Sequence, residues 1–320
     1  MKRCLLFVAT CLVAATALAQ QNYPNRPIRM VIPWPPGQAT DLVGRVIAQK
    51  LSDLFGYQVV PDNRAGAGGM IGTDIVAKAA PDGYTLLAAS SGPVSISPLL
   101  QKTPYAAEHD LAPVANGGLS PYLLTTMPSF PAKDIREFIA LLKANPGKYS
   151  YASSGTGATA HLVVEYFNNT AGIRGIHVPY KGSIPALTDV MSGQIAYTTE
   201  TVAASMPFVR SGKLKAYGIS LANGSALAPG IPPIATAADM PGFDVGAWIG
   251  VMVSAGTPKA LVDKLAAAVD KALQSPDVRD KLLSVGLEPD YRNAADMGRL
   301  LKEQSAKFAD IIKKSNIRIE

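Results

Sequence analysis

Strand-like and helix-like segments alternate near the start of this chain in an order that leaves few folds open. Ile28 to Ile32 is a short apolar strand. Thr40 to Leu54 then sets Leu42, Val43, Val46, Ile47 and Leu51 on one helical stripe. Tyr57 to Val60 reads as the next strand and Ile71 to Ala79 as a helix; Pro81-Asp82-Gly83 makes a turn before a third strand, Tyr84 to Ala89. A β-α-β-α-β order calls for a parallel sheet with helices on its faces.

A second set begins after Pro121. Ile135, Phe138, Ile139 and Leu142 share a helical face that Asn145-Pro146-Gly147 ends. Tyr149 to Ala152 is a strand, followed by a glycine-rich turn and a helix near Ala160 to Thr170. Ile176 to Tyr180, Gln194 to Thr199 and Leu214 to Ser220 read as further strands. The C-terminal part is helical. Thr257-Pro258 and Ser275-Pro276 are N-cap and N1 pairs, and Met297, Leu300, Leu301, Phe308, Ile311 and Ile312 form an apolar stripe. Two α/β units imply a hinged, two-lobed protein.

Two turns stand out. Pro33-Trp34-Pro35-Pro36-Gly37-Gln38-Ala39-Thr40-Asp41 follows one apolar run, and Ser153-Ser154-Gly155-Thr156-Gly157-Ala158-Thr159-Ala160-His161 follows another. Each reads as strand, small-residue turn, then helix start. A helix N-terminus presents unpaired N–H groups and a partial positive charge, a natural seat for an anion. Two such seats point to a small acidic molecule held between the lobes.

The first residues stand apart from the fold. Lys2 and Arg3 form a basic start, Leu5 to Leu18 is apolar but too short to span a bilayer, and Ala17-Leu18-Ala19 is a cleavage signal. Residues 1–19 are expected to be a secretory signal peptide, cut before Gln20, rather than a buried helix. Both cysteines, Cys4 and Cys11, leave with it. The mature chain then has no disulfide, thiol nucleophile or cysteine metal site. The formal net charge of +6 becomes +4 once Lys2 and Arg3 are gone, 28 basic residues against 24 acidic. No basic run interleaved with aromatics argues for nucleic acid. A mild positive bias helps attract anions. The expected product is a soluble, exported protein.

Enzyme signatures are weak. His109, His161 and His177 form no recognised metal-ligand motif, and neither metal nor cofactor is expected. There is no G-x-S-x-G elbow and no phosphate-binding loop. Ser153, Ser154 and His161 are close in sequence, but one helical turn does not supply triad geometry. Gly66-Ala67-Gly68-Gly69-Met70-Ile71-Gly72 is spaced G-x-G-x-x-x-G, and no acid follows where a ribose needs it; tight turning and close packing explain it better. Tyr180 and Lys181 are neighbours on a strand and so point to opposite faces. Trp34 and Trp248 suit a pocket wall or the core equally.

Taken together, the run Pro33 to Asp41, Asn63-Arg64-Ala65-Gly66-Ala67-Gly68-Gly69-Met70-Ile71-Gly72, Ala80-Pro81-Asp82-Gly83-Tyr84-Thr85-Leu86, Tyr151 to Gly157, His177-Val178-Pro179-Tyr180-Lys181-Gly182 and Ala255-Gly256-Thr257-Pro258 closely resemble the Bug/TctC family. These are the extracytoplasmic solute receptors of tripartite tricarboxylate transporters. The resemblance covers essentially the whole mature chain. It implies an α/β, two-lobed periplasmic binding (Venus-flytrap) fold, each lobe a mainly parallel sheet flanked by helices. Residues 20–121 and 223–320 are expected to form one lobe and 122–222 the other.

It further implies a non-enzymatic receptor, expected to be monomeric. Such a receptor holds a small organic carboxylate through backbone N–H groups, hydroxyls and waters and delivers it to the transporter's membrane subunits. A periplasmic sensor presenting the same ligand to a signalling partner is the alternative, and a secreted hydrolase a third. The expected ligand-binding residues are Trp34, Gln38, Ala39, Thr40 and Ser91 from one lobe. Ser153, Ser154, Thr156, Gly157, Ala158, Thr159 and Glu200 come from the other. Two positions depart from the family: Gln38 stands where it usually has glycine, and Glu200 where it often has aspartate.

Overall fold

The chain forms two sheets whose strands meet end-on at a cleft. A computed structural model describes residues 23–314 and 317. The expected signal peptide and both cysteines lie outside the described residues. Among those residues, no helix is long and apolar enough to cross a membrane.

Strands β1 (Ile28–Ile32), β2 (Val59–Asn63) and β3 (Thr85–Ser90) are parallel with β1 in the middle, connected by α1 (Ala39–Phe55) and α2 (Met70–Ala77). β1 is almost wholly buried because helices cover both sheet faces. Val43, Ile47, Ala48 and Leu51 of α1 pack on Ile28, Met30 and Ile32. Gly44 lets the helix lie close: a Cβ there would stand 3.1 Å from that of Ala88. Gly56, in the left-handed region at φ +71°, ends α1 by returning its N–H to the Ser52 carbonyl.

The short helices α3 (Ser97–Leu100) and α4 (Ala107–Asp110) lead to β4 (Leu111–Ser120). One residue, Pro121, then separates β4 from β5 (Tyr122–Thr126), which belongs to the second sheet. That lobe continues with α5 (Ile135–Ala144), β6 (Ser150–Ser153), α6 (Thr159–Ala171), β7 (Ile176–Pro179), α7 (Ser183–Met191), β8 (Tyr197–Thr201), α8 (Val202–Arg210) and β9 (Lys215–Ile219). Its strand order is β7-β6-β8-β5-β9. Helix α9 (Ile234–Ala237) still packs on β9 and α5. The chain rejoins the first sheet with β10 (Ala247–Ser254), so the return falls later than the expected residue 222. Helices α10 (Lys259–Gln274) and α11 (Pro276–Ser284), strand β11 (Glu288–Asn293) and helix α12 (Ala294–Lys314) follow. The first sheet reads β11-β4-β10-β3-β1-β2.

The sheets are mixed, which corrects the expectation of mainly parallel ones. β10 runs antiparallel to β3 and β4, and β5 antiparallel to β8 and β9. Connectivity is the cause. β1 to β4 and β6 to β9 run toward the cleft, whereas β5 and β10 each enter a lobe from the crossing and must run away from it; the edge strand β11 runs in the same direction as β10, antiparallel to β4.

The last helix belongs to both lobes. Met297 and Leu300 of α12 join the cluster around Val31, Leu87 and Trp248. Phe308 and Ile311 join the second lobe's core with Phe138, Phe167 and Tyr197. Lys307 Nζ reaches Asp244 Oδ2 at 3.1 Å.

Candidate functional site

The two small-residue turns face each other across the cleft. In the first, Gly37 adopts φ +86° and Gln38 the extended conformation that begins α1. Asp41 is 2% exposed and holds this turn from within. Its carboxylate accepts the Gly37 N–H at 2.9 Å, the Asn63 amide at 2.8 Å and Arg45 Nε at 2.9 Å. The indole of Trp34 donates to Ser90 Oγ at 2.9 Å, which fixes the ring as one wall.

In the second turn, Gly155 and Gly157 take φ +142° and +77°. The Gly157 N–H donates to His161 Nδ1 at 3.4 Å, and the Gly157 carbonyl accepts from Ser97 Oγ of the other lobe. His161 stacks on His177 with ring centres 4.1 Å apart. Burial pushes both imidazoles down, to about 3 for His161, where His177 adds to the effect, and to about 4 for His177. They form a neutral, packed support behind the turn.

Neither α1 nor α6 has a side-chain N-cap; the flanking residues are Gln38 and Ala158. By contrast, Asp134 caps α5 by accepting two backbone N–H groups. Among the described residues, the N–H groups of Ala39, Thr40, Thr159 and Ala160 have no acceptor. They are therefore open to an anion.

The inner cavity lies between these helix starts. Trp34, Gln38, Ala39 and Thr40 line it from the first turn, and Ser154, Ala158 and Thr159 from the second. Ser90, Ser120, Tyr122, Ser183, Glu200, Thr201, Ala247 and Ile249 complete it. Its free space is about 20 Å³, room for about one water. No Lys, Arg or His lines it, and Glu200 is its one acidic group. A wider outer cleft of about 380 Å³ continues from Trp34 and Ser154 past Gly68, Gln101, Thr156, Tyr180 and Lys181.

The lobes touch around this cavity. Gln38 Nε2 donates to Ser183 Oγ at 3.0 Å, and Ser183 Oγ donates to Glu200 Oε2 at 2.6 Å. Gly68, at φ +63°, sits so close to the opposite lip that a Cβ there would stand 2.5 Å from the Thr156 carbonyl oxygen. The glycine run is thus a lip of the cleft. Glu200 is 1% exposed. Burial raises its carboxyl to about 7, against the Ser183 hydrogen bond that pulls it down.

Eight of the expected residues line the inner cavity: Trp34, Gln38, Ala39, Thr40, Ser154, Ala158, Thr159 and Glu200. Thr156 lines the outer cleft. Ser91, Ser153 and Gly157 line neither, and each has another task. Ser91 Oγ accepts the Trp248 N–H at 2.8 Å. Ser153 Oγ lies 2.7 Å from His177 Nε2. Gly157 turns toward Ser97 and Gln101, where a Cβ would stand 2.9 and 3.1 Å away. Sequence reasoning missed Ser183, whose signal was its place just after Gly182 at a helix start. It also missed Ser120 and Tyr122, which flank Pro121 at the crossing.

Two lobes joined by crossing strands, with open helix starts facing one cavity, are the architecture of periplasmic solute-binding proteins. The chain belongs to the tripartite tricarboxylate transporter family receptors, which residues 43–317 match. It is 36% identical to the protein BugT of Bordetella pertussis over 317 residues, 98% of this chain and 97% of that one. Its structure is similar to that of R. palustris Rpa4515 with adipate, at a TM-score of 0.88 and 31% identity over 92% of this chain and 99% of that chain. It is also similar to MatC from Rhodopseudomonas palustris with bound malate, at a TM-score of 0.84 and 32% identity over 91% and 100% of the two chains.

Proposed function

We propose that this protein is exported by its N-terminal segment and captures a small organic carboxylate between its lobes. It then delivers the ligand to the membrane subunits of a tripartite transporter. The observation that carries this reading is the pair of helix starts, α1 and α6, whose open N–H groups meet at one cavity without a cation. Ala39 and Thr40 hold the carboxylate from one side and Thr159 from the other. Ser154, Thr40 and Thr159 add hydroxyls, and Trp34 supplies an apolar wall. The adipate and malate complexes of similar proteins support the ligand class.

A cavity with room for about one water admits such a ligand only when the lobes part. Capture is therefore a hinge motion about Pro121 and the segment between Ile219 and Ala247. A thermal-shift screen of mono-, di- and tricarboxylates tests the reading. A cognate acid at a hundredfold its Kd stabilises the folded chain by about 2.7 kcal/mol. No shift with any organic acid overturns it.

A further inference from the structure

Glu200 is the one group in the inner cavity that the capture of a carboxylate does not explain. It lies on β8, 1% exposed, where an ionised carboxylate and a ligand anion would repel each other with no cation to separate them. Its two oxygens are treated differently. Oε2 accepts the Ser183 hydroxyl at 2.6 Å, and Ser183 in turn accepts the Gln38 amide at 3.0 Å. Oε1 is buried and has no hydrogen-bond partner among the described residues. A buried oxygen left unpaired is unfavourable, so the cavity calls for a ligand atom there.

In the ionised acid Oε1 is a bare acceptor. In the neutral acid it carries a proton and becomes a donor. The relay from Gln38 through Ser183 occupies Oε2 as the acceptor and leaves Oε1 as the place for that proton.

We propose that Glu200 determines specificity in this cleft: neutral, it donates its Oε1 proton to the distal carboxylate of a dicarboxylate whose other end sits on the helix starts. This rests on the carboxylate-binding reading above and narrows it to dicarboxylates. Each dicarboxylate dianion captured then keeps one proton on Glu200. The same carboxyl reads ligand length, because only an acid that spans from α1 and α6 to β8 meets both ends.

The acid is poised for this, since burial holds it at about 7. The groups around it do not share the transition. Tyr122 of β5 is pushed far above the ordinary phenol range by burial and by Glu200 itself. His161 of α6 and His177 of β7 are held at about 3 and about 4.

Calorimetry on the wild-type chain between pH 6.5 and 8.5 tests the proposal. The probes are succinate, malate and adipate with their monocarboxylate analogues, each in two buffers of different ionisation enthalpy. Binding of the preferred dicarboxylate should weaken about twentyfold over this range as Glu200 ionises in the free protein. The buffer pair should report net proton uptake, and the monocarboxylates should change less than threefold. Glu200→Gln keeps an amide donor at the same place, so it should bind the dicarboxylate with a flat profile. A flat or rising profile in the wild type overturns the proposal, the rising one marking an ionised Glu200 that pairs with a ligand ammonium or hydroxyl. So does a Glu200→Gln variant that keeps the slope. Binding of monocarboxylates alone overturns it while leaving the carboxylate reading intact. Silence of every acid at every pH overturns that reading as well. If the variant does not fold, the proton count on the wild type decides alone.

Discussion

Replacing Gly68 by alanine should keep the lobes from closing fully, and the structure sets the size of the effect. The added Cβ would stand 2.5 Å from the Thr156 carbonyl oxygen, a backbone atom of the other lobe. An ordinary contact needs roughly 0.9 Å more. If the lobes yield by that distance, the 3.0 Å bond from Gln38 to Ser183 stretches to about 3.9 Å and is lost. Leaving those buried groups unpaired costs on the order of 1–3 kcal/mol of closure, a fivefold to 150-fold loss of ligand affinity. A second penalty is separate. Alanine at φ +63° carries about 1–2 kcal/mol of left-handed strain, open or closed. Gly212→Ala isolates that term, because Gly212 has φ +70° and nothing within 4 Å of a Cβ. Calorimetry and urea unfolding of both variants should show similar destabilisation but weak binding only in Gly68→Ala. Equal affinity in the two variants refutes the argument that the lips must touch.

Ala39→Pro and Thr159→Pro each remove one open N–H at a helix start whose preceding residue is already extended, at ψ 158° and 156°; carboxylate affinity should fall at least tenfold, with stability changed by less than about 1 kcal/mol in urea unfolding. Gln38→Ala breaks the bond to Ser183 and should weaken ligand binding about twofold to tenfold by calorimetry, the range of one net hydrogen bond. Glu200 has a folded value of about 7 raised from 4.5, so its contribution to stability is full below about 4.5 and is lost as pH rises through 7. Without ligand, Glu200→Gln should exceed the wild type by about 1 kcal/mol at pH 5 and about 3 kcal/mol at pH 8, and parallel pH profiles in urea unfolding would refute this. N-terminal sequencing of the exported protein should begin at or near Gln20, and an intact Met1 would remove the export reading.

The βα units were legible because their signals are local. An apolar run, a glycine turn and a stripe such as Val43, Ile47 and Leu51 specify themselves. β4 was not, since Leu111–Ser120 contains Pro113, Asn116, Gly117 and Gly118, residues that usually break strands. Tertiary contact accounts for them: β10 meets this strand with two register shifts, and Gly118 leaves room for the Glu288 carbonyl of β11. Antiparallel pairing was hidden for the same reason, because it follows from where the chain crosses between lobes and not from any one segment. In the site, both turns were found but not the direction of each residue within them. Ser153 and Gly157 sit beside cavity residues in sequence and yet face His177 and the opposite lip. Within turns that contain glycines at positive φ, order along the chain does not give side-chain direction.

Helix α12 turns a two-strand hinge into a constrained linkage. Its Met297 end is embedded in one lobe and its Phe308 end in the other, with Lys307 tied to Asp244. A rod anchored at both ends does not let the lobes twist freely about the crossing strands. It confines them to one path, along which the rod must slide at one anchor or flex between Leu301 and Lys307. Under the proposed capture motion the same rod limits how far the lobes can part, so the reach of the cleft toward long ligands is set by a helix that does not line the inner cavity.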